Sequence, residues 1–272
     1  MTSAARDSLT LRILSTLVLA PLVIGAVVIG DWALVALGIA FGLAAVHESD
    51  RLCGGEGLKG TLGQTHAALV AVAAIVAELG EWNTAVALSL IGALVLYLLA
   101  RLQGRRALWA GLGALYIALP VIAFLWLRDD HTHGLSALVW VLVVVWSSDI
   151  GAYAVGRTLR GPKLAPSISP GKTWSGAVGG VVAAAAAGAA TSGLTHSTYV
   201  DFVVPVSIAL AIVAQLGDLA ESAAKRHFGV KNSGTLIPGH GGVLDRVDSL
   251  LFALPAAALI ALFNDGSALV WR

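Results

Sequence analysis

Nine apolar runs follow one another along the chain, separated by short polar connections, at about 11–30, 31–47, 66–80, 84–100, 108–127, 135–156, 174–194, 200–224 and 249–270. A helix of roughly 20 apolar residues crosses the ~30 Å hydrocarbon layer of a bilayer. Lipid offers backbone N–H and C=O groups no water to bond, and a helix satisfies them within its own segment. The runs therefore predict an all-α fold, a polytopic bundle of about nine transmembrane helices. Composition agrees, with 57% hydrophobic and 12% charged residues against about 25% charged in soluble domains. Arg6 and Arg12 ahead of the first run resemble the start of a signal peptide, but no convincing small-residue cleavage site follows, so the run reads as a retained span.

With the N-terminus inside, every Lys and Arg except Arg128 and Arg272 falls in a cytoplasmic segment. That positive-inside pattern predicts N-in and C-out, with the polar loops of the second half facing the cytoplasm. Residues 1–130 read as scaffold, their Ala-, Gly- and Leu-rich spans allowing close helix contact in lipid. Residues 131–272 read as the catalytic region of the same continuous membrane unit. A net charge of +1 without a basic tail offers nothing to a nucleic acid, and the single Cys53 excludes an internal disulfide. Glu48 and Arg51, at the inner end of the second run, read as a solvated helix end or an interfacial ion pair.

The densest polar stretch runs from Gln215 to Asp248. It carries Asp218, Glu221, Asp245 and Asp248, the cations Lys225, Arg226, Lys231 and Arg246, and the turn Pro238-Gly239-His240-Gly241-Gly242. A helix continuing through its start puts Asp218, Glu221, Ser222 and Lys225 at i, i+3, i+4 and i+7, which is one face. Asp245 and Asp248, three apart where the last run begins, share a face as well. Carboxylates so placed repel unless a cation lies between them, and a divalent metal is the simplest such cation. The glycines permit positive φ, and a turn of this kind running into a helix N-terminus can cradle phosphate. No Gly-Lys-Ser/Thr follows, so this is not a Walker loop. The blander alternative is a tight turn whose charges face water.

Two further elements lie upstream. Asp149 interrupts an apolar run, and an ionisable group there reads as functional unless it merely pairs to hold helices together. The loop Gly156 to Trp174 holds Arg157, Ser169, Lys172 and Thr173 just before a helix start. Cations, hydroxyls and a helix N-terminus together suit a polyphosphate.

These elements resemble the phosphatidate cytidylyltransferases, or CDP-diacylglycerol synthases. The likeness lies in Ser222-x-x-Lys225-Arg226, Lys231, and Pro238-x-His240-Gly241-Gly242-x-x-Asp245-Arg246-x-Asp248. Upstream, it lies in Asp149-x-Gly151-Ala152-Tyr153, Gly156-Arg157 and Ile168-Ser169-Pro170-x-Lys172-Thr173. It covers roughly the last 45% of the chain, in a signature too long for a chance match. The first half matches only in its span pattern and in Glu48-x-x-Arg51-Leu52.

The resemblance implies that CTP and phosphatidic acid give CDP-diacylglycerol and pyrophosphate, in an integral protein of a bacterial inner membrane whose site faces the cytoplasm. It implies Mg²⁺ held by Asp218, Asp245 and Asp248 with Glu221, and a second cation such as K⁺. Lys225, Arg226, Lys231 and Arg246 would neutralise phosphates, with Lys172 and Arg157 from the neighbouring loop. Ser222 and His240 would orient substrate or metal ligands. Asp149, Ser169, Thr173, Gly241 and Gly242 would complete the substrate site. The partners implied are the two substrates, the bilayer and a second copy of the chain as a homodimer.

Two positions depart from the pattern: Asn232 stands where the family usually has Asp, and Ser49 where it usually has an aromatic residue. Three rival readings stay open. One is another CTP-using lipid transferase, such as a polyprenol kinase. Another is an ion-coupled transporter using Asp149 and Asp218. The third is an inactive relative, motivated by Asn232.

Overall fold

The computed structural model describes residues 17–130, 133–194, 200–237 and 241–263. Among them lie nine α-helices: α1 (Leu17–Ile29), α2 (Asp31–Leu52), α3 (Thr61–Glu78), α4 (Trp82–Leu102), α5 (Ala107–Asp129), α6 (Gly134–Leu159), α7 (Trp174–Leu194), α8 (Val200–His227) and α9 (Leu244–Phe263). All but α1 are long and apolar enough to cross a bilayer. The all-α polytopic bundle is therefore as expected. The outer parts of the runs at 11–30 and 249–270 fall outside the described residues.

Boundaries differ where polar residues join a helix. The third span starts at Thr61 rather than 66, because the segment from Thr61 to Thr65 winds into the helix and the Thr65 hydroxyl donates to Thr61 O at 2.9 Å. The last span starts at Leu244 rather than 249, which takes Asp245 and Asp248 into the helix. The loop after α6 holds a short hairpin that hydrophobic patterning did not predict. Its strands are β1 (Lys163–Ala165) and β2 (Ser169–Thr173), antiparallel, with Lys163 opposite Thr173 and Ala165 opposite Ser169.

The helices sort into two compact units. The first holds the described residues up to Leu125 together with Val230–Val247; the second holds Trp126–Gly229 and the described residues from Asp248. In the first, α2, α3 and α5 approach closely: a Cβ on Gly42 would lie 2.6 Å from Val70 Cγ1, and one on Gly38 3.3 Å from Val121 Cγ1. Leu62, Ala93, Leu96, Ala100 and Ala114 close the core of α3, α4 and α5. Asp50 fastens the connection after α2, accepting from Gly57 N at 2.8 Å and pairing with Arg105 at 3.3 Å.

In the second unit, α6 and α7 cross so tightly that a Cβ on Gly151 would lie 2.9 Å from Gly179 O. Small residues allow that approach, and in lipid it is packing and interhelical hydrogen bonds that hold helices together. Gln215 Nε2 on α8 donates to Ser148 Oγ on α6 at 3.2 Å and to Ala177 O on α7 at 3.1 Å. Trp140 Nε1 donates to Ser207 Oγ at 3.2 Å. Thr173 is the N-cap of α7, its hydroxyl accepting from Gly176 N at 3.1 Å.

Candidate functional site

The second unit gathers carboxylates and lysines from four elements. On α8, Asp218, Ser222, Glu221 and Lys225 share a face as their spacing predicts. Ser222 Oγ donates to Asp218 Oδ1 at 3.3 Å, and Lys225 Nζ lies 3.6 Å from Glu221 Oε1. Glu221 and Lys225 are only 6% and 8% exposed, so the pair sits largely out of water. From β2, Lys172 Nζ reaches Asp218 Oδ2 at 2.6 Å. The hairpin is held over the helix by Arg226, whose Nε donates to Ile168 O at 3.2 Å.

Asp248, on α9, comes to the same patch. It faces the charge of Asp218, while Ser249 N donates to its Oδ1 at 2.8 Å. Gly217 lets the two helices meet closely, since a Cβ there would lie 2.9 Å from Phe252 Cβ and 3.0 Å from Asp248 O. Asp149 on α6 completes the group: Ser249 Oγ donates to its Oδ1 at 3.4 Å, and Asp248, Asp218 and Lys172 are its charged neighbours.

Four carboxylates thus stand against two ammonium groups, and fully ionised they leave two negative charges in excess. That donor set of hard oxygens fits one divalent cation. Among the described residues no three His, Cys, Asp or Glu side chains converge at metal-ligand spacing. A divalent ion such as Mg²⁺ is characteristically held by one or two carboxylates and completed by water and substrate phosphates, so Asp218 and Asp248 are the residues that could hold one.

The first unit holds the other half of the signature. Asp245 does not stand as a bare ligand: its Oδ1 and Oδ2 accept from Ser233 N at 3.2 and 3.0 Å, and Oδ2 also accepts from Gly242 N at 3.1 Å. Ile237 and Gly241 exchange two backbone bonds, N to O at 2.9 and 3.2 Å, and Gly241 takes φ 90°. His240 lies outside the described residues.

Glu48 corrects the reading of a solvated helix end. It is 2% exposed and accepts from Ser233 Oγ at 2.9 Å, Val243 N at 2.9 Å and Leu244 N at 3.0 Å. The helix N-terminus that suited a phosphate is therefore already bonded to an anion of the protein itself. The acidic residue in Glu48-x-x-Arg51-Leu52 was the available signal, but nothing in its spacing shows a partner almost two hundred positions away.

The remaining predicted residues are scattered more widely. Arg157 donates to the Tyr153 hydroxyl at 2.6 Å and lies over its ring, exposed. Thr173 is buried as a helix cap, and Ser169 opens β2 half-buried. Lys231, Asn232 and Arg246 are exposed in the first unit.

Fold and site together define an integral membrane protein whose spanning helices carry a carboxylate cluster only partly compensated by lysines. The chain belongs to the Cytidylyltransferase family, which it matches over residues 10–263. It is 49% identical over 156 residues to a phosphatidate cytidylyltransferase of Brucella suis, covering 57% of each chain. To the Bacillus subtilis protein of that name it is 43% identical over 156 residues, covering 56% of this chain and 58% of the relative. A third, from Staphylococcus haemolyticus, is 37% identical over 186 residues, covering 65% of this chain and 70% of the relative.

Proposed function

We propose that this chain transfers the cytidylyl group of CTP to phosphatidic acid, releasing pyrophosphate and forming CDP-diacylglycerol, at the cytoplasmic face of a bacterial inner membrane. The observation that carries the reading is the second unit's cluster, in which Asp218 stands between Lys172 and Ser222 beside Asp248. Family membership and the names of the relatives support it.

A phosphate oxygen of the lipid attacks the α-phosphorus of CTP, the new P–O bond forms, and the bond to the β-phosphate oxygen breaks in line. No general base is needed, because a phosphate monoester is already ionised near neutral pH. The work left to the protein is alignment and charge neutralisation. Lys172 and Lys225 meet phosphate oxygens, and Arg226 steadies the hairpin that presents Lys172. Ser222 orients Asp218. Asp218 and Asp248 would hold Mg²⁺, whose chemistry when bound would be to neutralise phosphate charge on the leaving group. For Lys231, Arg246, His240 and a second cation such as K⁺, the roles are those implied by the resemblance, as is assembly into a homodimer.

The test is pyrophosphate release from CTP by purified protein in detergent with phosphatidic acid and Mg²⁺, beside Asp248→Asn. Release that requires lipid, metal and Asp248 is the expected result. CDP in place of pyrophosphate would show a kinase, and no release with CTP still bound would refute the reaction.

A further inference from the structure

We infer that Glu48 is a positioning residue: an internal anion that caps the start of α9 and anchors the glycine turn before it. The inference rests on the proposed reaction only in so far as that turn and helix carry its signature residues.

Three donors converge on one carboxylate, from positions 233, 243 and 244, so a residue at the end of α2 gathers both ends of the loop at once. Gly234 and Gly242 lie against it. A Cβ on Gly234 would lie 2.5 Å from Glu48 Oε1, and one on Gly242 would lie 2.6 Å from Oε2. Those contacts are too short for any side chain, which gives a reason for glycine at both positions beyond turn geometry.

The charge matters as well as the shape. The first N–H groups of a helix have no intrahelical acceptors and attract an anion, here one held away from water. Bonds from backbone N–H to a carboxylate are among the stronger ones. Glutamine in this place would present an NH₂ to one of the donors. With Glu48 on Val243 N and Leu244 N, and Asp245 on Gly242 N, three successive N–H groups are taken by the protein. A nucleotide phosphate is thereby excluded from this helix end and left to the lysines and arginines, while the strand of chain leading into α9 keeps a single arrangement.

Glu48→Ala removes a CH₂–COO⁻ group, the size and charge of acetate, and that permits a rescue experiment. The expected result is a kcat lower by about 10²-fold, the scale of a misplacement near 1 Å, with KM for CTP changed less than about threefold. Acetate should restore part of kcat and acetamide should not, because a neutral isostere fills the space without capping the helix. Amide hydrogen exchange at Val243 and Leu244 gives the same comparison independently of turnover: faster in Glu48→Ala, slowed by acetate only. Unchanged kcat, or equal rescue by acetamide, would overturn the inference. Absence of pyrophosphate release in the unmodified chain would sink the proposed reaction instead, with exchange still deciding the role of Glu48. If Glu48→Ala does not fold, Ser233→Ala decides: it deletes one of the three bonds, and normal kcat and exchange there would also overturn the inference.

Discussion

Replacing Lys172 by Met removes the ammonium 2.6 Å from Asp218 Oδ2 and keeps a side chain of similar length. At that separation the Coulomb attraction is about 6 kcal/mol for an effective dielectric near 20. The two side chains are 25% and 29% exposed, so desolvation, screening and lost side-chain freedom reduce the net contribution to about 1–2 kcal/mol. A divalent ion approaching Asp218 competes with this ammonium, because Oδ1 already accepts from Ser222. Lys172→Met should therefore bind Mn²⁺ about tenfold more tightly without nucleotide, a tenfold change being about 1.4 kcal/mol. The same variant should lose about 10²–10³ in kcat, since a preorganised cation is missing when phosphate charge shifts. Mn²⁺ titration followed by electron paramagnetic resonance, beside pyrophosphate release, measures both. Equal or weaker Mn²⁺ binding, together with normal turnover, would show that Lys172 only pins the hairpin and would refute the exchange of ammonium for metal.

Other consequences are simpler to check. Gly242→Ala places a Cβ 2.0 Å from Ser233 Oγ and 2.7 Å from Gly234 N; it should destabilise the chain by about 1–3 kcal/mol, read as a lower melting temperature, with activity lost. Thr173→Ala removes the N-cap of α7 and should cost about 1 kcal/mol, again by thermal melting. The Cys53 thiol is pushed up to about 11 by burial and by Asp50, against the pull of Arg106 and Arg105. Only the thiolate is alkylated, so labelling by iodoacetamide should be slow at pH 8 and rise towards pH 11. Between 9.0 and about 11 the folded chain keeps a proton that the unfolded chain has lost, so this group makes stability fall as pH rises through that window. Asn232 is exposed, and Asn232→Asp should change stability by no more than about 0.5 kcal/mol, as exposed substitutions usually do, with pyrophosphate release in both forms; activity appearing only in the variant would refute this.

Much of the fold could be read directly from hydropathy, because a spanning segment must satisfy its own backbone and so must be both apolar and helical. The shared face of Asp218, Glu221, Ser222 and Lys225 was legible for a similar reason, since helix periodicity converts spacing into direction. Periodicity does not reach across loops. The hairpin that brings Lys172 to Asp218 has Pro166 in its turn and Pro170 in the short strand β2, and no alternation of polar and apolar residues announces it.

The difference is clearest at two acidic residues, Asp245 and Glu48. Asp245 sits where the signature predicts a ligand, yet its oxygens are bonded to Ser233 and Gly242. Glu48 sits where the sequence suggests a solvated end, yet it is buried under Val243 and Leu244. The sequence alone determined that the long membrane helices are helices and which residues each one carries on a face, because those depend on local patterning and on the solvent; of the nine runs it marked, eight are long and apolar enough to span among the described residues. Tertiary structure alone decided which charge meets which, because a carboxylate takes whatever donors packing brings to it, and those come from segments far apart in the chain.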